Sequence, residues 1–285
     1  MRQFMLIIVL LGLSSIAHAE SFVWRVAGSD NTVYLAGSMH LLPARAYPLP
    51  AAYEDAYSAS KMLVEEADQA ALQSPQASRI LMSAARYDQG DLADHLDADT
   101  LEQTAEVLDT LGLSIGDYAQ FRPWFVSMAI EVQAFENAGY HADLGLDGFF
   151  DQRARLDDKA ILALQPIDRH LAVLTELSTG LSRDQLAVTL ANADELDTAP
   201  DELFGYWQSG NVADFAAAID EQVEAYPALY DRLIYDRNQA WLSTVDTLLH
   251  SPDNAMVLVG AAHLVGPKGL VAMLRDRGYQ IERMD

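Results

Sequence analysis

The chain has 285 residues, is 51% hydrophobic, contains no cysteine and carries a formal charge of −24 at neutral pH. So acidic a surface repels phosphate backbones and anionic lipid, which argues against a nucleic-acid partner, and the missing thiols exclude lipoprotein attachment and disulfide staples. The length suits one large domain or two small ones, with enough apolar residues for a substantial core.

Residues 1–19 combine Arg2, a short apolar core and Ala17-His18-Ala19, the pattern of a secretory signal peptide cut before Glu20. The apolar core is shorter than the roughly 20 residues a spanning helix needs. Export of a cysteine-free chain indicates a periplasmic or secreted protein, with no stable membrane insertion once the signal is removed. Residues 22–26 and 32–36 then read as a hairpin around Gly28-Ser29-Asp30-Asn31, and its second strand runs into Gly37-Ser38-Met39-His40. Residues 50–61 predict a helix, with Tyr53, Ala56 and Tyr57 along one stripe, and 62–64 a short strand. That order predicts a right-handed parallel crossover. The second strand ends in Glu65-Glu66-Ala67-Asp68, so its carboxylates emerge at the same sheet edge as His40. On an extended segment Glu66 and Asp68 share one side and Glu65 faces the other.

From residue 74 to 139 the pattern turns helical. Asp99-Thr100-Leu101-Glu102 has the form of a capping box, and Gly112 stops the helix that follows. Arg122-Pro123-Trp124 opens another helix, for which Phe125, Met128, Ala129, Val132 and Phe135 predict the core-facing stripe. Leu144-Gly145-Leu146-Asp147 leads a further helix, and residues 160–164 predict a third buried strand ending at Gln165-Pro166. Residues 178–226 are acidic, broken by Gly180, Pro200, Gly205 and Gly210, and read as a lid or a helical subdomain. A long helix over 229–249 carries Arg237-Asn238. A β-branched strand over 256–259 leads into Gly260-Ala261-Ala262-His263, then a helix over 268–277 and a last strand over 280–284.

The two G-x-x-H segments share one construction. In each, an apolar strand ends at a glycine and a histidine follows three residues later, at the carboxyl end of a strand, where open α/β sheets bind ligands. Gly260 suits a sharp exit from the sheet. Neither spacing is a local zinc signature, so the pairing itself is what indicates a shared metal or catalytic site. His40 and His263 with Glu66 or Asp68 would supply two imidazoles and a carboxylate, a set that suits a divalent ion such as Mn, Zn or Co. A carboxylate left off the ion would serve as base, and Glu66 is the best candidate. Arg237 would steady an oxyanion or a substrate carboxylate, or equally pair with one of the many acids.

Taken in order, Gly37-Ser38-Met39-His40, Glu66-Ala67-Asp68, Arg122-Pro123-Trp124, Gly139-Tyr140, Leu144-Gly145-Leu146-Asp147, Arg237-Asn238 and Gly260-Ala261-Ala262-His263 resemble the TraB/GumN family, also called TraB/PrgY/GumN and related to the TIKI metalloproteases. The resemblance implies an α/β fold like that of erythromycin esterase and ChaN proteins: a mixed β-sheet flanked by helices. It implies one domain over residues 20–285, with a helical insertion across about 74–250 interrupted by a strand near 160–165. It also implies divalent-metal-dependent hydrolysis of peptide bonds. One departure stands out. Many relatives carry Leu-Glu where this chain has Leu164-Gln165, and a glutamine keeps a carbonyl oxygen but cannot act as a base. Three readings stay open: a metal-dependent peptidase or related hydrolase, a non-catalytic protein that sequesters a peptide or a metal ion, and a structural accessory of an envelope or polysaccharide system.

Overall fold

The structure is a computed structural model that describes residues 21–285; the signal-peptide reading of residues 1–19 lies outside them. Eight strands are present among the described residues: β1 (Val23–Ala27), β2 (Thr32–Ser38), β3 (Leu42–Pro43), β4 (Met62–Glu65), β5 (Tyr140–His141), β6 (Ala160–Ala163), β7 (Ala255–Gly260) and β8 (Ile281–Arg283). Six of them make one mixed sheet in the order β6-β4-β7-β2-β1-β8, while β3 and β5 pair separately. β6, β4, β7 and β2 are mutually parallel, and β1 runs antiparallel to both β2 and β8. The expected hairpin is therefore β1–β2. The connection from β2 to β4 skips one position, which β7 fills.

Strand composition explains the layering. β7 is buried at every position, as a central parallel strand covered on both faces requires. β6 differs from expectation. It has the apolar sequence of a buried strand but sits at the sheet edge with one neighbour, and Leu162 is 44% exposed. An apolar run of four residues carries no information about which sheet position it takes.

Fourteen α-helices are assigned among the described residues. α1 (Ala51–Ala59) buries Tyr53 and Tyr57 against the sheet; α2 (Gln69–Leu72) and α3 (Pro75–Ala85) follow β4. α4 (Ala98–Thr110) is capped by Asp97, whose carboxylate accepts from the Thr100 N–H, two residues before the expected capping box. α5 (Ile115–Tyr118) is a single turn. α6 (Pro123–Asn137) starts at Pro123, where the missing N–H costs nothing, and ends before Gly139. Its buried face is Trp124, Val126, Ser127, Ile130 and Ala134 rather than the expected stripe, and Val132 is 37% exposed. The reason is composition: α6 is apolar nearly all round, so more than one stripe fits, and part of the expected one looks into a cleft. α7 (Leu146–Leu156) and α8 (Ile167–Thr175) flank β6. Gly180 and Gly205 lie inside α9 (Thr179–Ala191) and α10 (Ala199–Ser209) without breaking them, whereas Gly210 ends α10 in the left-handed region. α11 (Val212–Ala225) and α12 (Pro227–Tyr230) lead through a π-helical turn, Asp231–Tyr235, into α13 (Asp236–Leu249). The chain makes a 3₁₀ turn over Ala261–His263, and α14 (Leu270–Asp276) begins after Gly269, two residues later than expected.

Two apolar clusters hold this together. One surrounds the six-stranded sheet. The other lies within the helical insertion, where Trp124, Val126 and Ile130 of α6 meet Leu186 and Leu190 of α9. Among the described residues no helix is long and apolar enough to cross a membrane.

Candidate functional site

The parallel strands deliver four segments to one edge. Ser38 and Gly260 are paired partners in β2 and β7, so His40 and His263 leave the sheet side by side. β4 and β6 lie beyond β7, and their ends carry Glu66 and Gln165; the Gln165 N–H donates to the Glu66 carbonyl. A β-carbon built on Gly260 would lie 3.4 Å from Glu66 Oε1, 3.6 Å from His40 Nε2 and 3.6 Å from His263 Cδ2. That spot is where the three side chains meet. Gly260 makes the exit from the sheet with an ordinary negative φ of −49°, so the glycine matters for the space it leaves rather than for special backbone angles.

Each imidazole is held by its outer nitrogen. Asn238 uses its amide N–H groups to donate to the carbonyls of His263 and Lys268, so its Oδ1 is free to accept from His263 Nδ1 at 2.7 Å. That assigns the proton to Nδ1 and leaves Nε2 as a lone pair. For His40, Nδ1 lies 2.7 Å from Asp147 Oδ2, while the Ser38 hydroxyl donates to Oδ1 of the same carboxylate. The register of Asp147 depends on Gly145, where any β-carbon would sit 2.1 Å from the His40 carbonyl oxygen, so only glycine lets the start of α7 approach this loop. Metal-binding histidines characteristically have such outer partners.

Arg237 completes the cluster. The π-helical turn before α13 presents it to the sheet edge, a common use of π-turns. Its guanidinium pairs with Glu66 Oε2 and donates to His263 Nε2 at 3.1 Å, with His170 Nδ1 at 3.4 Å; its Nε has no partner among the described residues. Glu66 Oε1 accepts from the Gly260 N–H at 2.8 Å. Burial alone would raise the Glu66 carboxyl, but the charges of Arg237 and His40, with the Gly260 N–H, outweigh it and hold it well below the usual carboxylate range. Burial pushes His263 down to about 3 and His170 down to about 4, so both are neutral. His40 goes the other way, raised to about 9 chiefly by the charge of Asp147.

The structure therefore gathers His40, Glu66, Arg237 and His263. It takes Asp68 elsewhere. β4 ends at Glu65, the chain turns, and Asp68 caps α2 through the Ala71 N–H and pairs with Arg155 at 3.3 Å. The expectation that Glu66 and Asp68 share one side of an extended segment fails because the extension stops three residues too early. Glu65 does face away: it is buried against α7 with neither carboxylate oxygen bonded among the described residues, and burial, then Asp151 and Asp147, raise it to about 8. His170 and Trp241 were not singled out from the sequence. Gln165 brings both in, its amide nitrogen 3.0 Å from His170 Nδ1 and its oxygen accepting from the Trp241 indole at 3.1 Å. Nothing in the spacing of a lone histidine after a proline marks it as a site residue.

As the side chains stand, no group of three imidazoles and carboxylates among the described residues is set to hold a metal ion. The cause is local: Arg237 takes His263 Nε2 and one oxygen of Glu66, and the Gly260 N–H takes the other. The donor types and their outer partners would suit a divalent cation only if the guanidinium withdrew and His40 gave up its proton.

A model of the TraB/PrgY/gumN family matches residues 22–283. The chain belongs to the TraB/PrgY/gumN family. Among its relatives is the uncharacterized protein YbaP of Escherichia coli strain K12, 24% identical over 245 residues, which cover 85% of this chain and 87% of the relative. An uncharacterized protein of Treponema pallidum strain Nichols is 22% identical over 277 residues, 93% of this chain and 83% of that one. No solved structure matches the chain significantly. For this family member the two G-x-x-H loops, the β4 end and the α13 arginine lie at the floor of a cleft of about 820 Å³.

Proposed function

We propose that this chain is an exported, divalent-metal-dependent hydrolase acting on peptide bonds, with His40, His263 and Glu66 as donors to the ion. The observation that carries the proposal is the pair of imidazoles fixed by Asp147 and Asn238, whose inner edges border, with Glu66 Oε1, the space beside Gly260. When bound, a divalent ion would supply a water acidified towards a pKa of ~7 as the nucleophile. The chain's own groups do the rest. Asn238 keeps His263 in the tautomer whose Nε2 can donate a lone pair. Arg237, released from Glu66 and His263, becomes a buried guanidinium free to take a substrate carboxylate or a developing oxyanion. Gln165, held by Trp241 and His170, orients His170 but takes no proton. We further propose the erythromycin esterase and ChaN-like architecture for the sheet and its insertion, and a periplasmic or secreted location.

Calorimetry with Mn²⁺, Zn²⁺ and Co²⁺ on the wild type, His40→Ala and His263→Ala, with a peptide-cleavage screen, tests the reading. Equal affinities in all three proteins would remove the ion from the site. Binding that is lost in both variants without any cleavage would direct attention to Gln165, and Gln165→Glu should then gain activity. A second reading has its own observation. Arg237 already neutralises Glu66 and occupies His263, which supports a non-catalytic protein that sequesters a peptide. Peptide binding that persists in His40→Ala, uncut and indifferent to chelator, is the outcome that favours it.

A further inference from the structure

The cleft is charged at its floor and apolar along its walls. Leu72, Leu81, Phe135, Leu171, Leu174 and Ile234 line it above the His40–Glu66–His263–Arg237 cluster. One charged side chain in the lining lies outside that cluster and its Asp147 and His170 partners: Glu131, on α6, one helical turn before Phe135. Its surroundings are built. Thr189 of α9 donates its hydroxyl to Glu131 Oε1 at 2.6 Å, Ser127 donates to the same oxygen at 3.3 Å, and the two hydroxyls lie 2.7 Å apart. Both bonds fall on Oε1, and among the described residues no N–H or O–H meets Oε2. No basic side chain pairs with Glu131 among the described residues either, in contrast to Glu66, which Arg237 neutralises at the cleft floor. Glu131 is solvent-exposed as a residue, with Oε1 turned to the two hydroxyls and the residue lining the cleft. Desolvation by the neighbouring protein raises its pKa, and the Thr189 and Ser127 hydroxyls work against that rise.

A carboxylate with one oxygen taken by hydroxyls and the other without a partner, among the apolar side chains above the charged floor, is a receptor for one cationic group. We infer that Glu131 is the specificity-determining residue of this cleft, receiving a single ammonium or guanidinium on a ligand that is otherwise apolar and reaches the charged floor at its other end. The cation can be the amino terminus of an apolar peptide or a basic side chain within one. The inference deepens the hydrolase reading by naming the substrate's charge pattern, but it concerns binding and is tested without turnover.

Three short fluorescent peptides of alanine and leucine serve as probes: one with a free amino terminus, one N-acetylated, and one N-acetylated with a single internal lysine. Fluorescence anisotropy on the wild type should find at least one charged peptide bound roughly tenfold tighter than the neutral one. Whichever of the two wins identifies the source of the cation. Glu131→Gln keeps an oxygen for the Thr189 hydroxyl and should bind all three alike. The wild type offers a second readout that needs no variant: the preference should shrink as salt rises beyond physiological strength. Equal binding of all three peptides, binding of none, or a preference that survives in Glu131→Gln would overturn the inference. Failure of the hydrolase reading looks different. Discriminating binding with no cleavage under any of the three ions keeps the Glu131 assignment and discards hydrolysis, whereas cleavage without discrimination does the reverse.

Discussion

His40 and His263 leave neighbouring parallel strands within two and three residues of the paired Ser38 and Gly260, yet one side chain is 63% exposed and the other 4%. His263 is roofed by Trp241 and Arg237 and tied to a neutral amide, and burial keeps it uncharged. His40 opens onto the cleft beside a carboxylate and is held protonated. Two segments with the same sequence form thus end in different charge states, one neutral and one cationic. What differs is the residue at the outer nitrogen, Asn238 in one case and Asp147 in the other, and the side of the site that α13 covers. The local motif sets position; the packing partners set protonation.

The largest effect should come from breaking the covered side. Arg237→Ala leaves Glu66 buried without its counter-charge, which is expected to cost about 3–5 kcal/mol. Asp147→Asn, the matching change on the open side, removes a pair whose imidazole is mostly in solvent and should cost under ~1 kcal/mol. Urea denaturation of the two variants gives the comparison directly. Similar losses in both would mean that the two histidine environments are not energetically distinct.

Acid should single out His263 next. In the unfolded chain this imidazole takes a proton near pH 6.5, but in the folded chain not until about 3, so its contribution is fully present above pH 6.5 and is lost as pH falls toward 3. Between pH 7 and pH 4.5 the chelated protein should lose about 2–3 kcal/mol on this account. His263→Gln has no imidazole to protonate and should have a flatter acid limb. A wild type whose urea midpoint is unchanged over that range would contradict a buried neutral His263.

Much of this arrangement was legible in the sequence, and the parts that were not have physical causes. The β1–β2 hairpin, the strand at Met62–Glu65 and the strand before Gly260 follow from alternation and turn residues, which act locally. So does the convergence of the two histidines, since matching strand ends meet whenever their strands pair. Asp68 was out of reach: three residues past a strand end, a short polar side chain caps a helix as readily as it binds an ion. The edge position of β6 and the cleft-facing side of α6 depend on what packs against them, and no window of residues contains that. His170 and Trp241 reach the site only through Gln165, which the sequence marked as a departure without revealing its partners.

Gly260→Ala sharpens the comparison from the space between the histidines. A methyl group there would touch Glu66, His40 and His263 at 3.4–3.6 Å, all ordinary contacts, with a φ that alanine tolerates. Stability should change by less than ~1 kcal/mol, helped by the stiffer unfolded chain. Affinity for a divalent ion should nevertheless fall at least roughly tenfold, because the methyl takes the shared space. Calorimetry on a variant that melts like the wild type yet binds metal equally well would move the ion away from these histidines.

The smallest expected effect lies on the alkaline side and belongs to His40. Its folded pKa, about 9, exceeds the unfolded value near 6.5, so the stability it contributes is complete below pH 6.5 and disappears as pH rises through 9. Converting that shift directly to free energy would overstate it, because the side chain is 63% exposed and solvent screens the pair with Asp147. A contribution below ~1 kcal/mol is therefore expected, shrinking further as salt is added. Tyrosines and lysines titrate in the same range, so the useful quantity is the difference between the wild type and His40→Gln measured at pH 6 and again at pH 10, in which their contributions cancel. That difference should be positive at pH 6 and close to zero at pH 10, the reverse of the trend His263 produces in acid. NMR titration of the chelated protein gives the sharper test: a His40 midpoint near 6.5 would mean that Asp147 does not set its charge, and the contrast between the two histidines would reduce to burial alone.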